Sequence, residues 1–411
     1  MRILWFSNSP SLYGKNKKNY NGGGWIESLE KLITLQTNIE LAISFFHPDN
    51  CFKSKTETTT YYPISLYNSP IRKAIHNITY SSFDHYEVKS FVRVINDFKP
   101  DIIHVFGSEK SFGLVTNHTD IPVVVHIQGL LNPIKNAYFP PNYNKLDIIL
   151  PNLLKPVSIF NKLKSLHFFN HDTRREEKIL KNCKYLMGRT SWDKDVSQLY
   201  APNSKYFFCN EALRDIFYNS PPWELKVEKK FTIVSTLSQT PYKGFDVILK
   251  TTHLLKKLYP KFNFEWQIFG INEYTEFEKR FNIKSKHLNI YLKGVVNSET
   301  LVKNLLESNV YVHPAYIDNS PNSVCEAQIL GLPIIASNVG GIPSLIENNK
   351  NGILIPANDP YTMASKIIML KNNPDAAIKI GKEARKTAQE RHDKKKILSD
   401  LLNIYKNLSN A

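Results

Sequence analysis

The stretch from Asn309 to Leu345, NVYVHPAYIDNSPNSVCEAQILGLPIIASNVGGIPSL, leaves the chain little choice of architecture. A short apolar run, Val310 to Val312, predicts a buried strand. A small-polar turn follows, Asp318-Asn319-Ser320-Pro321-Asn322-Ser323, and then a helix-like segment, Val324 to Leu330, stopped by Gly331 and Pro333. A second buried strand, Pro333 to Ser337, delivers the pair Gly340-Gly341. Strand, loop, helix, strand, loop is the repeating unit of a parallel sheet, where ligands sit at the carboxyl ends of the strands. Two carboxylates, Asp318 and Glu326, bracket the loop, so something polar is expected there.

The same rhythm runs through most of the chain. Strands are predicted at Arg2 to Phe6, Leu41 to Phe45, Asp101 to Phe106 and Pro122 to Ile127, with helices after Gly22-Gly23-Gly24 and near Tyr86 to Phe98. Residues 132–170 break it with proline, aromatic and basic residues, and one or two short amphipathic helices are expected inside an insertion. A helix at Arg175 to Lys181, a strand at Tyr185 to Arg189, a helix from Trp192 and a strand at Lys205 to Cys209 resume the pattern. Asn219-Ser220-Pro221-Pro222-Trp223 predicts an interdomain linker. Strands follow at Phe231, Phe264 to Phe269 and Asn289 to Leu292, and the tail from Pro374 to Asn410 is helical. The fold class expected is α/β, two doubly wound parallel-sheet domains facing a cleft. They divide as 1–222 and 223–393, and a C-terminal helix over about 394–411 is expected to pack back on the first.

A chain of 411 residues is long enough for two domains of roughly 150–200 residues each. An apolar content of 42% excludes wholesale disorder. Cys51, Cys183, Cys209 and Cys325 are scattered without a CxxC, which argues against a zinc site or a disulfide framework and fits a reducing cytoplasm. The apolar run at the N-terminus is too short for a signal peptide, and no run is long enough to cross a bilayer. The formal charge of +16 implies an anionic partner: nucleotide, lipid headgroup or nucleic acid.

Several ordered motifs together narrow the function. They are HPAY, DNSPNSVCEA, GLPIIAS and VGGIP in the opening stretch, with PDIIHVFG at Pro100, VVVHIQG at Val123, PYKGFDVILKT at Pro241 and NGILIPANDP at Asn351. The combination resembles the donor site of family 4 retaining glycosyltransferases of the GT-B fold, in the branch bearing "ENSPNSLCEA". The resemblance is strong in the second half of the chain and looser in the first. It implies an enzyme that moves a sugar from a nucleoside-diphosphate sugar, UDP-linked in the first instance and GDP-mannose in the second. The implied acceptor is a glycan or lipid-linked oligosaccharide in surface polysaccharide or lipopolysaccharide synthesis.

Such a donor needs its ribose held, its pyrophosphate neutralised and its sugar ring fixed. Charge-assisted bonds from vicinal hydroxyls to a carboxylate suit the ribose, and the resemblance gives that role to Glu326. The plain alternative for Glu326 is a first-turn helix glutamate meeting the dipole. Asp318 stands where the family usually has a glutamate that binds a sugar hydroxyl; its plain alternative is an Asx turn or cap. Asn319, Ser320, Asn322, Ser323 and Val324 would offer backbone N–H groups to the pyrophosphate at a helix start, and Lys243 would add a positive charge. The family's upstream arginine is replaced here by Ser235-Thr236-Leu237, so Ser235, Thr236 or Ser238 hydroxyls, or a cation from the first domain, would substitute. Gly23 and Gly24 permit close backbone approach to phosphate, and Ser238, Gly270 and Gly294 complete the expected donor-binding set. His126, ending a strand, stands by the resemblance beside the transferred sugar and acceptor, its plain alternative being a core histidine satisfied by a backbone carbonyl; for His104 a core role is expected. His126, Asp318 and Lys243 are thus the expected catalytic group.

Asp193-Lys194-Asp195 is a DxD, but it falls inside a helix rather than at a strand end and is rejected as a metal motif; the resemblance implies that cationic side chains and helix dipoles neutralise the phosphates instead, so no metal and no cofactor are expected. The basic insertion, with Lys155, Lys162, Lys164, Arg174 and Arg175 amid Ile, Leu and Phe, could rest on an anionic membrane or could simply pack as helices. A cytoplasmic location reaching to the inner face of the membrane is expected. A polyanion-binding non-enzyme would account for the charge but not for the Asp318–Glu326 loop, and no nucleic-acid signature is present. A phosphorylase or epimerase on the same fold is a third reading.

Overall fold

The computed structural model describes residues 1–14, 24–48, 53–65, 84–149, 156–226, 230–273, 277–279 and 285–410. The chain forms two compact units, one of Met1–Asn132, Leu166–Arg214 and His392–Ala411, the other of Pro133–Ser165 and Asp215–Arg391.

The first unit holds an eight-stranded sheet made of β1 (Arg2–Phe6), β2 (Glu40–Phe46), β3 (Ser54–Lys55), β4 (Thr59–Ile64), β5 (Ile102–Phe106), β6 (Val123–His126), β7 (Tyr185–Gly188) and β8 (Lys205–Phe208), in the order β3-β4-β2-β1-β5-β6-β7-β8. Every pairing is parallel except β3 with β4. Strands buried on both faces read as continuous apolar runs, and β1 and β5 do so. The chain grows outward from β1 in both directions, so the switch point lies between β1 and β5. The C-terminal helix Lys394–Ser409 covers one face, burying Ile397, Leu401, Ile404, Tyr405 and Leu408 against Ile3, Trp5 and Ile43.

The second unit holds β9 (Phe231–Thr236), β10 (Phe264–Phe269), β11 (Ile290–Gly294), β12 (Val310–His313), β13 (Ile334–Ser337) and β14 (Ile353–Ile355), all parallel, in the order β11-β10-β9-β12-β13-β14. Here the switch point lies between β9 and β12. Ser235 fastens that pair from inside: its hydroxyl donates to the Val312 carbonyl at 2.6 Å and accepts the Trp266 indole N–H at 3.0 Å.

Four expectations change. The β3–β4 hairpin extends the first sheet where the sequence predicts no strand. The insertion carries one long helix, Pro156–Lys181, besides the short helices Leu131–Asn136 and Lys145–Ile149. Residues 133–165 belong to the second unit, where Tyr143 stacks on Phe277 at 4.9 Å. The segment expected as a linker is built into that unit too, because the Trp223 N–H donates to the Leu330 carbonyl and its indole to the Ser308 carbonyl, each at 2.7 Å. The units therefore divide at Arg214, not at residue 222.

Replacing Ser235 with alanine strands a buried indole N–H and a buried carbonyl. A loss of roughly 1–3 kcal/mol is expected, measured by urea unfolding. Wild-type stability would mean the hydroxyl does not bridge the strands.

Candidate active site

In the second unit the loops after β9 and β12 meet at the switch point. The first begins with Leu237 and makes one 3-10 turn, Pro241–Lys243, closed by Gly244 at φ +80°. A β-carbon at Gly244 would lie 2.0 Å from the Pro314 carbonyl oxygen, so only glycine permits this approach. Just beyond, the Tyr316 N–H donates to the Tyr242 carbonyl at 2.8 Å. Zipped together this way, the loops bring Lys243 Nζ within 2.6 Å of Asp318 Oδ2. His313, the last residue of β12, reaches the same oxygen with Nε2 at 2.9 Å, and Asp318 Oδ1 accepts the Asn319 N–H at 3.1 Å. Gly340 then backs the loop from β13: at φ +53°, its absent side chain leaves room for the Asp318 carbonyl oxygen, which a β-carbon would meet at 2.0 Å. That carbonyl accepts the Gly341 N–H at 3.0 Å.

The electrostatics follow from burial and pairing. Burial opposes the charge on Lys243, and Asp318 outweighs it, so the ammonium is held above its ordinary range. Burial likewise raises the Asp318 carboxyl, and Lys243 and His313 reverse this and hold it below the ordinary carboxylate range. Both groups are therefore charged at neutral pH.

The helix Asn322–Leu330 starts one residue after this loop ends, and its cap, Pro321, has no side chain to bond the first amides. Asn319 and Ser320 are buried at its approach; Asn322, Ser323 and Val324 form its first turn. Glu326 is the fifth helical residue, not a first-turn glutamate, and it is buried near the Tyr311 hydroxyl, which also lies beside Ser323 and Thr236. Among the donor set, Ser238 pairs with Thr240 at 2.9 Å, while Gly270 follows β10 and Gly294 ends β11. Ser235 is fully engaged between strands, so it is no substitute for the missing arginine.

The first unit holds its own polar cluster. His126, at the end of β6, is buried; its Nδ1 lies 3.3 Å from His104 Nε2, and its Nε2 lies 3.8 Å from Glu211 Oε1. Glu211 accepts from Gln128 and from Arg189, each at 2.7 Å. Burial first, then His104 and Arg189, push His126 well below its ordinary range, so its imidazole is neutral. Gly24 opens the helix Gly24–Ile33 with the Arg214 side chain packed 2.9 Å from where its β-carbon would stand. Gly23 lies outside the described residues. Arg189, Arg214, Glu211 and His313 carry no motif signal except that His313 stands in the HPAY run. Asp193 caps the helix Ser191–Tyr200 in a capping box with Thr190, which is why DKD is a helix start and not a metal motif.

Residues 220–387 match the family model described as "Glycosyl transferases group 1". A poly(ribitol-phosphate) alpha-N-acetylglucosaminyltransferase of Staphylococcus aureus is 30% identical over 190 residues, 46% of this chain and 37% of that protein, so the chain spans well under half of that relative's length. Sucrose-phosphate synthase from Thermosynechococcus elongatus superposes with a TM-score of 0.73 at 14% identity, covering 99% of this chain and 98% of that one. Anabaena Alr3699/HepE in complex with UDP and glucose gives 0.64 at 14%, covering 98% of each. The fold is that of the GT-B glycosyltransferases.

A carboxyl whose native pKa is depressed stabilises the fold above its unfolded value, about 3.9, and that stabilisation is lost as pH falls through the native value. Asp318→Asn is expected to cost roughly 3 kcal/mol at neutral pH, the low end for breaking a buried pair. The gap to wild type should narrow as pH falls below about 4. Urea unfolding across acidic and neutral pH measures it; a gap that does not change with pH would show that Asp318 is not held ionised.

Proposed function

We propose that this chain, whose residues 220–387 match the model of the group 1 glycosyl transferases, is a retaining glycosyltransferase using a nucleoside-diphosphate sugar. The observation that carries the reading is the Lys243–Asp318 pair at the switch point of the second sheet, 2.6 Å apart beside an uncapped helix start and Glu326. In an open α/β sheet that is where a ligand belongs, and an uncapped helix start favours phosphate. Glu326 takes the ribose hydroxyls, the amides of Asn322 and Ser323 take the pyrophosphate, that of Val324 being bonded to the Pro321 carbonyl at 3.0 Å, and Lys243 places a permanent positive charge on the leaving phosphate. Asp318, fixed by Lys243 and His313, presents its carboxylate to a hydroxyl of the donor sugar. His126 serves the transferred sugar and the acceptor.

In the reaction the bond from the anomeric carbon to the diphosphate breaks, and the acceptor oxygen bonds to that carbon on the same face. The acceptor's proton leaves with the diphosphate oxygen. The protein contributes position and charge, and a metal ion is not required because Lys243 and the helix start supply the neutralisation. A UDP-sugar is the favoured donor, supported by the UDP in the HepE complex, with GDP-mannose second. The acceptor class proposed is a surface glycan or lipid-linked oligosaccharide, supported by the poly(ribitol-phosphate) substrate in the name of the Staphylococcus relative.

Contact with an anionic membrane is a second element of the proposal, favoured by one observation. Val157 and Phe160 are 72% and 65% exposed on the first turns of the helix Pro156–Lys181, with Leu163 one turn on and Lys162 and Lys164 beside them. Arg175 cannot contribute, being buried and bound to Asp84 and Asp172, and Lys155 lies outside the described residues. Among the described residues no helix is long and apolar enough to cross a membrane.

Glu326→Ala and Lys243→Ala are each expected to cut nucleoside diphosphate release by about 10²–10³ while far-UV circular dichroism stays unchanged. A thermal-shift panel of UDP-, GDP- and TDP-sugars identifies the donor used. Full activity in either variant would overturn the site. Separately, Val157→Ser with Phe160→Ser is expected to abolish sedimentation with phosphatidylglycerol liposomes; undiminished sedimentation would sink membrane docking through this helix.

A further inference from the structure

The first unit contains a buried chain of hydrogen bonds that ties His126 to side chains with no part in the proposed donor site. The Trp5 indole N–H lies 3.0 Å from the Tyr405 hydroxyl, which lies 2.6 Å from His104 Nδ1. His104 Nε2 in turn lies 3.3 Å from His126 Nδ1, the two rings being stacked with an interplanar angle of 26°. All four side chains are at most 2% exposed. Tyr405 comes from the C-terminal helix, 301 residues away from His104 in sequence.

Proton accounting gives this chain a direction. An indole nitrogen can only donate, so the Tyr405 oxygen is an acceptor toward Trp5. Its own hydrogen then needs an acceptor, and among the described residues His104 Nδ1 is the only one within reach. That leaves the His104 proton on Nε2, where it must donate to His126 Nδ1. His126 is thereby forced to carry its proton on Nε2, the nitrogen that has no hydrogen-bond partner among the described residues. In the opposite direction the Tyr405 hydroxyl hydrogen would be buried with nothing to accept it, which native interiors avoid. Burial pushes His104 down to about 3, and His126 is likewise depressed, so neither ring escapes the choice by taking a second proton.

We infer that Tyr405 and His104 are positioning residues that fix the tautomer of His126, so that His126 meets its ligand as an Nε2–H donor and not as a base. The catalytic consequence rests on the reading, given above, that His126 touches the transferred sugar or the acceptor. There the Nε2–H would bond a sugar or acceptor oxygen, with Glu211 Oε1 standing 3.8 Å away. The tautomer itself does not depend on that reading, which keeps the two separable.

Long-range 1H–15N correlation spectra of the full chain, labelled with 15N-histidine and assigned by comparison with His126→Asn, report the tautomer directly. In the wild type His126 is expected in the Nε2–H form. Tyr405→Phe removes the hydroxyl that sets the direction and is expected to move the His126 nitrogens toward a mixture of tautomers. Trp5→Phe perturbs the same core but leaves the Tyr405–His104 bond, and is expected to keep the wild-type pattern; it controls for loss of packing. With the sugar nucleotide that gives the largest thermal shift, Tyr405→Phe is expected to lower kcat about tenfold, the equivalent of one hydrogen bond, with KM for that donor unchanged. An Nδ1–H His126 in the wild type, or an unaltered tautomer in Tyr405→Phe, overturns the relay. If the spectra behave as expected but His126→Asn retains full activity, the relay stands and the assignment of His126 to the reaction falls.

Discussion

A lysine and an aspartate held 2.6 Å apart with less than a fifth of either side chain exposed set the terms for everything around them in the second unit. Neither charge is tolerable alone in that setting, because breaking a buried pair leaves an uncompensated ion. The loops are shaped accordingly. Gly244 lets the Lys243 turn press against the Pro314 carbonyl, Gly340 makes room for the Asp318 carbonyl, and His313 braces the carboxylate from β12. Ser235 holds the two strands that carry those loops. One ion pair therefore explains why glycines, a histidine and a serine stand where they do, without each needing a separate function.

The arrangement also places a constraint on chemistry. A lysine whose charge is secured by its partner does not lose it at neutral pH, and it cannot serve as a proton donor of convenient strength. It suits a role in which charge must stay fixed while a substrate's negative charge develops. The neutral, buried His126 of the first unit is the complementary type of group, polar but uncharged.

How much of this was legible beforehand varies with the length scale of the signal. Strands such as β1 and β5 are nearly continuous apolar runs, and their assignment needs only neighbouring residues. The β4 strand, TTYYPI, gives no clear strand signal because Pro63 and the polar Thr59 and Thr60 mask it; in the sheet it sits beside β2 with Tyr61, Tyr62 and Ile64 turned into buried surroundings. The helix Pro156–Lys181 is not legible as one element because its mixed apolar, polar and basic residues give no sustained stripe. The linker reading failed at Trp223, where tertiary bonds to Leu330 and Ser308 overrode a proline-rich turn signal. At the site, motifs pointed to Lys243, Asp318 and Glu326, but that Lys243 and Asp318 bind each other depends on two loops 75 residues apart in sequence. The contacts between Tyr405, His104 and Trp5 span hundreds of residues, beyond any local pattern.

That last separation has a bearing on how the protein is made. The first unit is assembled from three pieces of chain, the last beginning only at His392. During synthesis β1, β5 and β6 can pair as soon as residue 126 is available, and domains generally begin folding from the N-terminal side. Until the helix Lys394–Ser409 emerges, however, Trp5 and His104 lack the Tyr405 hydroxyl, and the apolar face of Ile3 and Ile43 lacks its cover. The nascent first unit must wait, partly unsealed, while the whole of the second unit is translated.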